Sequence, residues 1–408
     1  MKMLHTSDWH LGQKFLHNDR EEEHRLALSW LLDVIQEEAI DLLVVAGDIF
    51  DIGNPPNYAR RLYYRFLTQL LQTSCRHILI TGGNHDSPSM LSAPKELLEI
   101  LNIWVIASAT SDPADEIIEL RNQEGNLEAV IAAVPFLRDA DLKYSVAGET
   151  GFDRIAKIKE GIQNHYQTVA RLIEKYADAE VPLLATGHLH ATGAETSGPK
   201  NNIYIGNIEN IKADQFPMIF DYIALGHIHR AQKVGGAHHI RYSGSLIPLS
   251  FSETKDEKQV FVLEFEKKKI KEIKALHLPM FRRLKTIQGD LDTVKQRLRE
   301  FDEKGERALP PWVEVIVDTD EILPQLDTEL RTFTEEMQLE ILKIKLNRQY
   351  QGLAEQAEQP DLEMMDQVEV FHLKCESYGS TPEEVNELTQ TFRELMEWMR
   401  ESEWNGGV

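Results

Sequence analysis

Short apolar runs alternate with amphipathic stretches through the first third of the chain. The β-rich runs are KMLHT (2–6), DLLVVAG (41–47) and HILITG (77–82); between them lie REEEHRLALSWLLDVIQEE (20–38) and YARRLYYRFLTQLLQ (58–72), whose apolar residues recur at helical spacing. Strand and helix in alternation predict βαβ units and a largely parallel sheet. Later runs, IIEL, EAVIAAVP, PLLATG, YIALG, HHIRYSG, QVFVLEF and KIKEIKAL, follow one another more closely. They predict a second sheet with antiparallel pairs, packed on the first with helices outside, so the expected fold class is α/β, a two-sheet sandwich over residues 1–278.

After Pro279 the pattern changes to strand (RRLKTI), helix (DLDTVKQRLREF), strand (WVEVIVDT), helix (EILPQLDTELRTF) and strand (LEILKIKLN), a small α+β unit over 279–348. QYQGLAEQAEQP (349–360) has little apolar content and is the expected linker into a third unit, 349–408. There Thr381 stands at an N-cap, Pro382 at the first helical position and Glu384 where a capping box places it. Val385, Leu388, Phe392, Leu395 and Met399 then recur at alternating steps of three and four, the spacing of a coiled-coil seam. Such a stripe commonly packs on its own domain; the polar linker before it favours docking on another chain.

Charge narrows the function classes. Net charge is −23, from 44 Lys and Arg against 67 Asp and Glu, the wrong sign for holding nucleic acid by bulk electrostatics. Residues 351–408 alone carry 3 basic and 14 acidic side chains, which sets that segment apart as a module. The two cysteines, Cys75 and Cys375, follow no metal-ligand spacing and give no disulfide framework. There is no apolar run of 18 residues, and MKMLHTSDWH places a histidine and an aspartate where a signal peptide needs an apolar core. A cytoplasmic protein without membrane contact is expected.

The chemistry gathers at strand ends. Five β-runs finish in metal-binding side chains: TSDWHLG (Asp8, His10), VAGDIFD (Asp48), GGNHD (Asn84, His85), ATGHLH (His188, His190) and ALGHIH (His227, His229). One such ending is an ordinary hydrogen-bonded turn; five predict convergence beyond the carboxyl ends of a sheet, where α/β folds bind ligands. Asp8 with His10, and His227 with His229, stand two apart and can each aim two donors at one point. Imidazole and oxygen donors without thiolate suit manganese, iron or zinc in open sites.

In their order, D-x-H, G-D, G-N-H-D, G-H and G-H-x-H, these motifs resemble the calcineurin-like metallophosphoesterases. HTSDWHLG, AGDIFDIGNPPNYAR, GNHDS, IALGHIHRAQ and YSGSLIPLSF are similar to a subgroup of that family, bacterial DNA nuclease subunits of the meiotic recombination nuclease type. The likeness is strong over residues 1–275, and follows order and character beyond. It implies an αββα sandwich with a cap domain and a C-terminal helical tail, and two divalent ions, manganese foremost. One would be held by Asp8, His10, Asp48 and His229, the other by Asp48, Asn84, His188 and His227, with Asp48 bridging. His190 is the alternative to His188. His85 is expected as general acid toward the departing sugar oxygen, oriented by Asp86, or as a phosphate holder; Asp51 is expected to steer a ligand histidine or to serve a turn. Lys14, Arg60, Arg61, Arg65 and Arg230 lie near the motif loops and could contact DNA phosphates, or form a solvated face. The resemblance also implies partners: DNA, a second copy of the chain, and an ABC-type ATPase whose coiled coil takes the tail helix, in an assembly of two nuclease and two ATPase chains. Two rival readings are a phosphoesterase for a small substrate and a scaffold whose metals only stabilise it.

Overall fold

The computed structural model describes residues 1–347 except 94, 139–140, 143–150, 192–210, 303–308, 320–322 and 324, and beyond them Phe371, Cys375, Val385, Leu388, Thr389 and Phe392. Met1–Gln349 form one compact unit and Tyr350–Val408 a second.

Two six-stranded sheets face each other in the first unit. The first runs, edge to edge, Lys269–His277, Gln259–Glu266, Lys2–Thr6, Leu42–Ala46, His77–Thr81 and Ile103–Ile106. Its last four strands are parallel. The second runs Gln232–Lys233, Ile240–Tyr242, Tyr222–Gly226, Leu183–His188, Leu127–Ala132 and Ile117–Arg121. Successive side chains of a strand point to opposite faces, and here both faces are covered. Leu42, Val44 and Leu79 meet Ile131, Leu184 and Ala224 between the sheets. Leu43, Val45 and Ile80 pack outward against helices Glu21–Glu37 and Asn57–Leu70. On the far side, Val130, Ala185 and Ile223 pack against Ile162, Tyr166 and Val169 of helix Gly151–Ile173.

Glu21–Glu37 shows why these segments become helices. Three glutamates fill its first turn, favourable to the helix dipole. Its buried residues Ala27, Leu28, Leu31, Val34 and Ile35 form one stripe, each large side chain worth about 1.5–3 kcal/mol when removed from water.

The second sheet differs from expectation in two ways. Its four central strands are parallel, with antiparallel pairing confined to its two edges. Parallel neighbours need a crossover, and helix Gly151–Ile173 supplies it between Leu127–Ala132 and Leu183–His188. QVFVLEF and KIKEIKAL, expected there, join the first sheet instead, Gln259–Glu266 pairing antiparallel with Lys2–Thr6. Edge strands carry no pattern that says which sheet they extend.

Strands Leu284–Gly289, Trp312–Asp318 and Glu340–Asn347 form a separate parallel sheet, with helices Leu291–Asp302 and Leu326–Phe333. It has its own core around Val294, Leu298, Val313, Val315 and Leu330. An aromatic seat ties it to the larger sheets: Phe15 stacks on Trp312 at 5.5 Å and meets Phe251 at 5.0 Å, while the Arg282 guanidinium lies 4.0 Å from the Trp312 ring centroid.

In the second unit Phe392 stacks on Phe371 with ring centroids 4.2 Å apart. Val385 is buried and Leu388 is 44% exposed. Part of the tail stripe is thus taken up within its own unit; Leu395, Met399 and the linker 349–360 lie outside the described residues. Among the described residues no helix is long and apolar enough to cross a membrane.

Candidate metal centre

The motif loops leave the carboxyl ends of strands Lys2–Thr6, Leu42–Ala46 and His77–Thr81 in one sheet and Leu183–His188 and Tyr222–Gly226 in the other. Asp8, His10 and His229 bring ligand atoms within 4.8 Å of one another, and so do Asp8, Asp48 and His188. A third group, His10, Asp51 and His85, adjoins them. Asp8, His10, Asp48 and His188 are buried, His227 and His229 partly so, and Asn84 and His85 are exposed.

Backbone shape makes this gathering possible. Asp8, His10, Asp48 and His227 all have positive φ (51°, 46°, 51° and 99°), a conformation that side-chain-bearing residues rarely adopt and that recurs at functional sites. Glycine is required at two packing points. A Cβ on Gly47 would lie 2.1 Å from His188 Nδ1, and one on Gly226 would lie 1.8 Å from the Ala46 oxygen.

The imidazoles are oriented from behind. His188 Nδ1 donates to the Ala46 carbonyl at 3.0 Å, His10 Nδ1 lies 3.1 Å from Asp51 Oδ1, and His229 Nδ1 lies 3.5 Å from Glu253 Oε1. Each contact leaves Nε2 for the centre, the arrangement typical of metal-binding histidines. His188 Nε2 then sits 3.1 Å from both Asp48 Oδ2 and Asn84 Oδ1, and that amide oxygen is 3.0 Å from His227 Nδ1. His10 Nε2, buried and without a hydrogen-bond partner, lies 3.5 Å from Asp48 Oδ2. With His188 Nδ1 committed as donor, a neutral ring would point its other lone pair at two oxygens. A proton or a cation must resolve that crowding, and imidazole with oxygen donors fits a divalent ion.

Electrostatics agree. Burial disfavours charge on His188, but the Asp48 carboxylate outweighs it and pushes the imidazole up to about 9. Burial would likewise raise Asp48, yet the positive His188 holds its carboxyl well below the usual range. Burial and the charge on His188 push His227 down to about 3, keeping its lone pair available.

One expectation needs correction. Asp86 acts on the turn and not on the His85 ring: its carboxylate accepts from the N–H groups of Gly83, Ile49 and Phe50 at 2.9, 3.1 and 2.9 Å, stapling the GNHD turn to the Asp48 loop. His85 Nδ1 instead donates to the Asp51 carbonyl at 2.7 Å, and its backbone N–H to Asp48 Oδ1 at 2.9 Å. Arg230 pairs with Asp256 at 2.8 Å. Of the other basic residues, Lys14 lies 3.8 Å from Asp19 with its side chain 62% exposed, and Arg61 reaches only 4.0 Å from Glu21. Arg60, Arg61, Tyr64 and Arg65 line one groove on helix Asn57–Leu70. His190 is buried, its ring 6.4 Å from that of His227, and belongs to none of the three ligand groups.

Glu253 was not visible in the sequence. Besides His229 it takes Lys258 Nζ at 2.6 Å and the Leu249 N–H at 3.1 Å; burial would raise its carboxyl, but His229 and Lys258 bring it down to about 2. Nothing in SFSETKDEK marks it, because its histidine is 24 positions away. His5 and His24 are buried in the core and pushed down to about 3 by burial.

Comparison with known proteins accords with this geometry. Residues 1–231 match the model of the calcineurin-like phosphoesterase family, and 280–378 that of the type 5 capsule protein repressor C-terminal domain. The SbcD subunit of nuclease SbcCD from Escherichia coli K12 is 39% identical over 86% of this chain and 86% of its own length. The SbcD proteins of Rhodobacter capsulatus and Bacillus subtilis are 37% and 32% identical, covering 62% and 65% of this chain and 64% and 66% of their own. The chain belongs to the calcineurin-like phosphoesterases, in the SbcD nuclease family.

Proposed function

We propose that the chain is the catalytic subunit of a cytoplasmic SbcCD-type DNA nuclease, a manganese-dependent phosphodiesterase that degrades double-strand ends exonucleolytically and opens hairpins and single strands endonucleolytically. It works in DNA repair, recombination and replication with an SbcC-like ABC ATPase, in a complex of two nuclease and two ATPase chains. One observation carries this reading: a single buried oxygen, Asp48 Oδ2, lies between His10 Nε2 and His188 Nε2, where two ions can share it.

Asp8, His10, Asp48 and His229 would hold one ion and Asp48, Asn84, His188 and His227 the other. Bound there, a pair of divalent ions neutralises phosphodiester charge and acidifies an attacking water. The protein's own part is orientation and proton supply. Asp51, Glu253 and the Ala46 carbonyl hold three imidazoles in place. His85, with Nδ1–H committed to the Asp51 carbonyl, presents Nε2 outward, and as an imidazolium it gives a proton to the departing sugar oxygen. A P–O bond would form to the water oxygen, whose proton passes to solvent, the P–O bond to the sugar would break, and the His85 proton would end on the new hydroxyl, His85 being reprotonated from solvent. Arg60, Arg61 and Arg65, with Lys14, supply the local positive charge that a strongly acidic chain otherwise lacks for backbone phosphates.

The test incubates the purified chain, with and without the ATPase, on a labelled hairpin and on bis-p-nitrophenyl phosphate with manganese. Cleavage of both is expected, with His85→Ala retaining manganese but losing on the order of 100-fold or more on the hairpin. Full hairpin cleavage by that variant would end the role of His85, and turnover of the small ester alone would favour a small-molecule phosphoesterase.

A further inference from the structure

The turn that carries Asn84 and His85 belongs to the first sheet, yet its carbonyls are held from the second. Phe136, just beyond strand Leu127–Ala132, donates its N–H to the Gly82 carbonyl at 2.8 Å. Two residues on, Arg138 Nη2 reaches the Asp86 carbonyl at 3.0 Å and the Gly83 carbonyl at 3.4 Å, one on each side of Asn84 and His85. Arg138 is itself anchored: its N–H donates to Asp141 Oδ2 at 2.8 Å, and its guanidinium lies 5.8 Å from the Phe136 ring centroid. Phe136 in turn stands edge-on to His188. The same guanidinium keeps Nη1 buried without a hydrogen-bond partner, an arrangement that costs stability and that an apolar or neutral side chain would avoid.

We propose that Arg138 is a positioning residue for the leaving-group side of the reaction. It clamps both ends of the Asn84–His85 turn so that His85 Nε2 stays aimed at the departing oxygen. The Asp86 carboxylate fixes the inner side of the turn through N–H groups, and Arg138 fixes the outer side through carbonyls; only the two together determine the tilt of the segment between them. Both carbonyls are reached by the two hydrogens of one amino group, Nη2, and the rigid guanidinium plane beside the Phe136 ring fixes where that nitrogen lies, which the flexible stem of a lysine does not.

This inference rests on the proposed role of His85, and its test keeps the two apart. The full-length chain is assayed with manganese on single-stranded DNA, whose alkoxide leaving group needs a proton, and on bis-p-nitrophenyl phosphate, whose phenolate leaves without one. Arg138→Gln is expected to lose on the order of 10- to 100-fold on DNA, exceeding its loss on the small ester at least about tenfold. In the His85→Ala background the same substitution is expected to add less than about twofold on DNA. Arg138→Lys serves if the glutamine variant does not fold, with the same substrate bias expected. Equal losses on both substrates, or a full additional loss on top of His85→Ala, would overturn the role of Arg138. If His85→Ala itself shows no preference between leaving groups, it is the function of His85 that fails.

Discussion

At the residue scale, a proton and the proposed ion would compete for His188. In the metal-free protein its imidazole is pushed up to about 9, because the Asp48 carboxylate outweighs burial. The raised value means that the His188–Asp48 pair stabilises the metal-free fold fully below the ordinary imidazole range and ceases to do so as pH rises through about 9. Metal binding has the opposite slope, since the ligand nitrogen must first lose its proton. Apparent manganese affinity is therefore expected to rise about tenfold per pH unit between about pH 7 and 9, accompanied by release of one proton. Calorimetric titration in buffers of differing ionisation enthalpy measures both, and a flat affinity with no proton released would refute it. The proposed ligand residues are legible because metal-binding side chains recur at strand ends, most of them after a glycine. Apart from Asp51, their supports are not: Asp86 acts on backbone N–H groups of another loop, Glu253 on a histidine 24 positions away, and Arg138 on carbonyls more than 50 positions away. Such pairings appear only once the chain is folded.

At the element scale, the centre depends on how closely strands of two sheets approach. Gly226, ending strand Tyr222–Gly226, lies against the Ala46 carbonyl and the His188 ring, and neither can yield without moving the site. Gly226→Ala is expected to cost about 1–3 kcal/mol from overpacking and to weaken manganese binding as well. Gly125→Ala is the control: it meets nothing within 4 Å, so its backbone strain at φ +84°, about 1 kcal/mol, should leave binding intact. Thermal melts and manganese titrations of both variants distinguish them, and unimpaired binding in Gly226→Ala would contradict the argument. The first sheet was readable because its strands alternate with helices of clear amphipathic pattern. The second is less legible, because its parallel centre depends on the crossover helix Gly151–Ile173 and because Gln259–Glu266 and Lys269–His277 pair at an edge that local sequence does not specify.

At the scale of the whole molecule, the proposed ligands and the acidic tail fall in different units. Every proposed ligand lies within Met1–Gln349, while the acidic tail lies in Tyr350–Val408. Removing residues 360–408 is expected to leave manganese-dependent cleavage of single strands and to abolish co-purification with the ATPase. Retained association would assign the partner surface elsewhere. Leu388 is the described member of the tail stripe that stays exposed, so Leu388→Asp should reproduce the loss of association without disturbing the Phe371–Phe392 stack.

The left-handed backbone at Asp8, His10, Asp48 and His227 has one more implication. Such conformations cost of order 1–3 kcal/mol each and persist only while the surrounding framework imposes them. The cage is thus held in shape by the framework around it and not by its own side chains alone. Gentle warming should then undo the molecule from the inside outward: chelating power would fade while the circular dichroism of the strands is still undiminished.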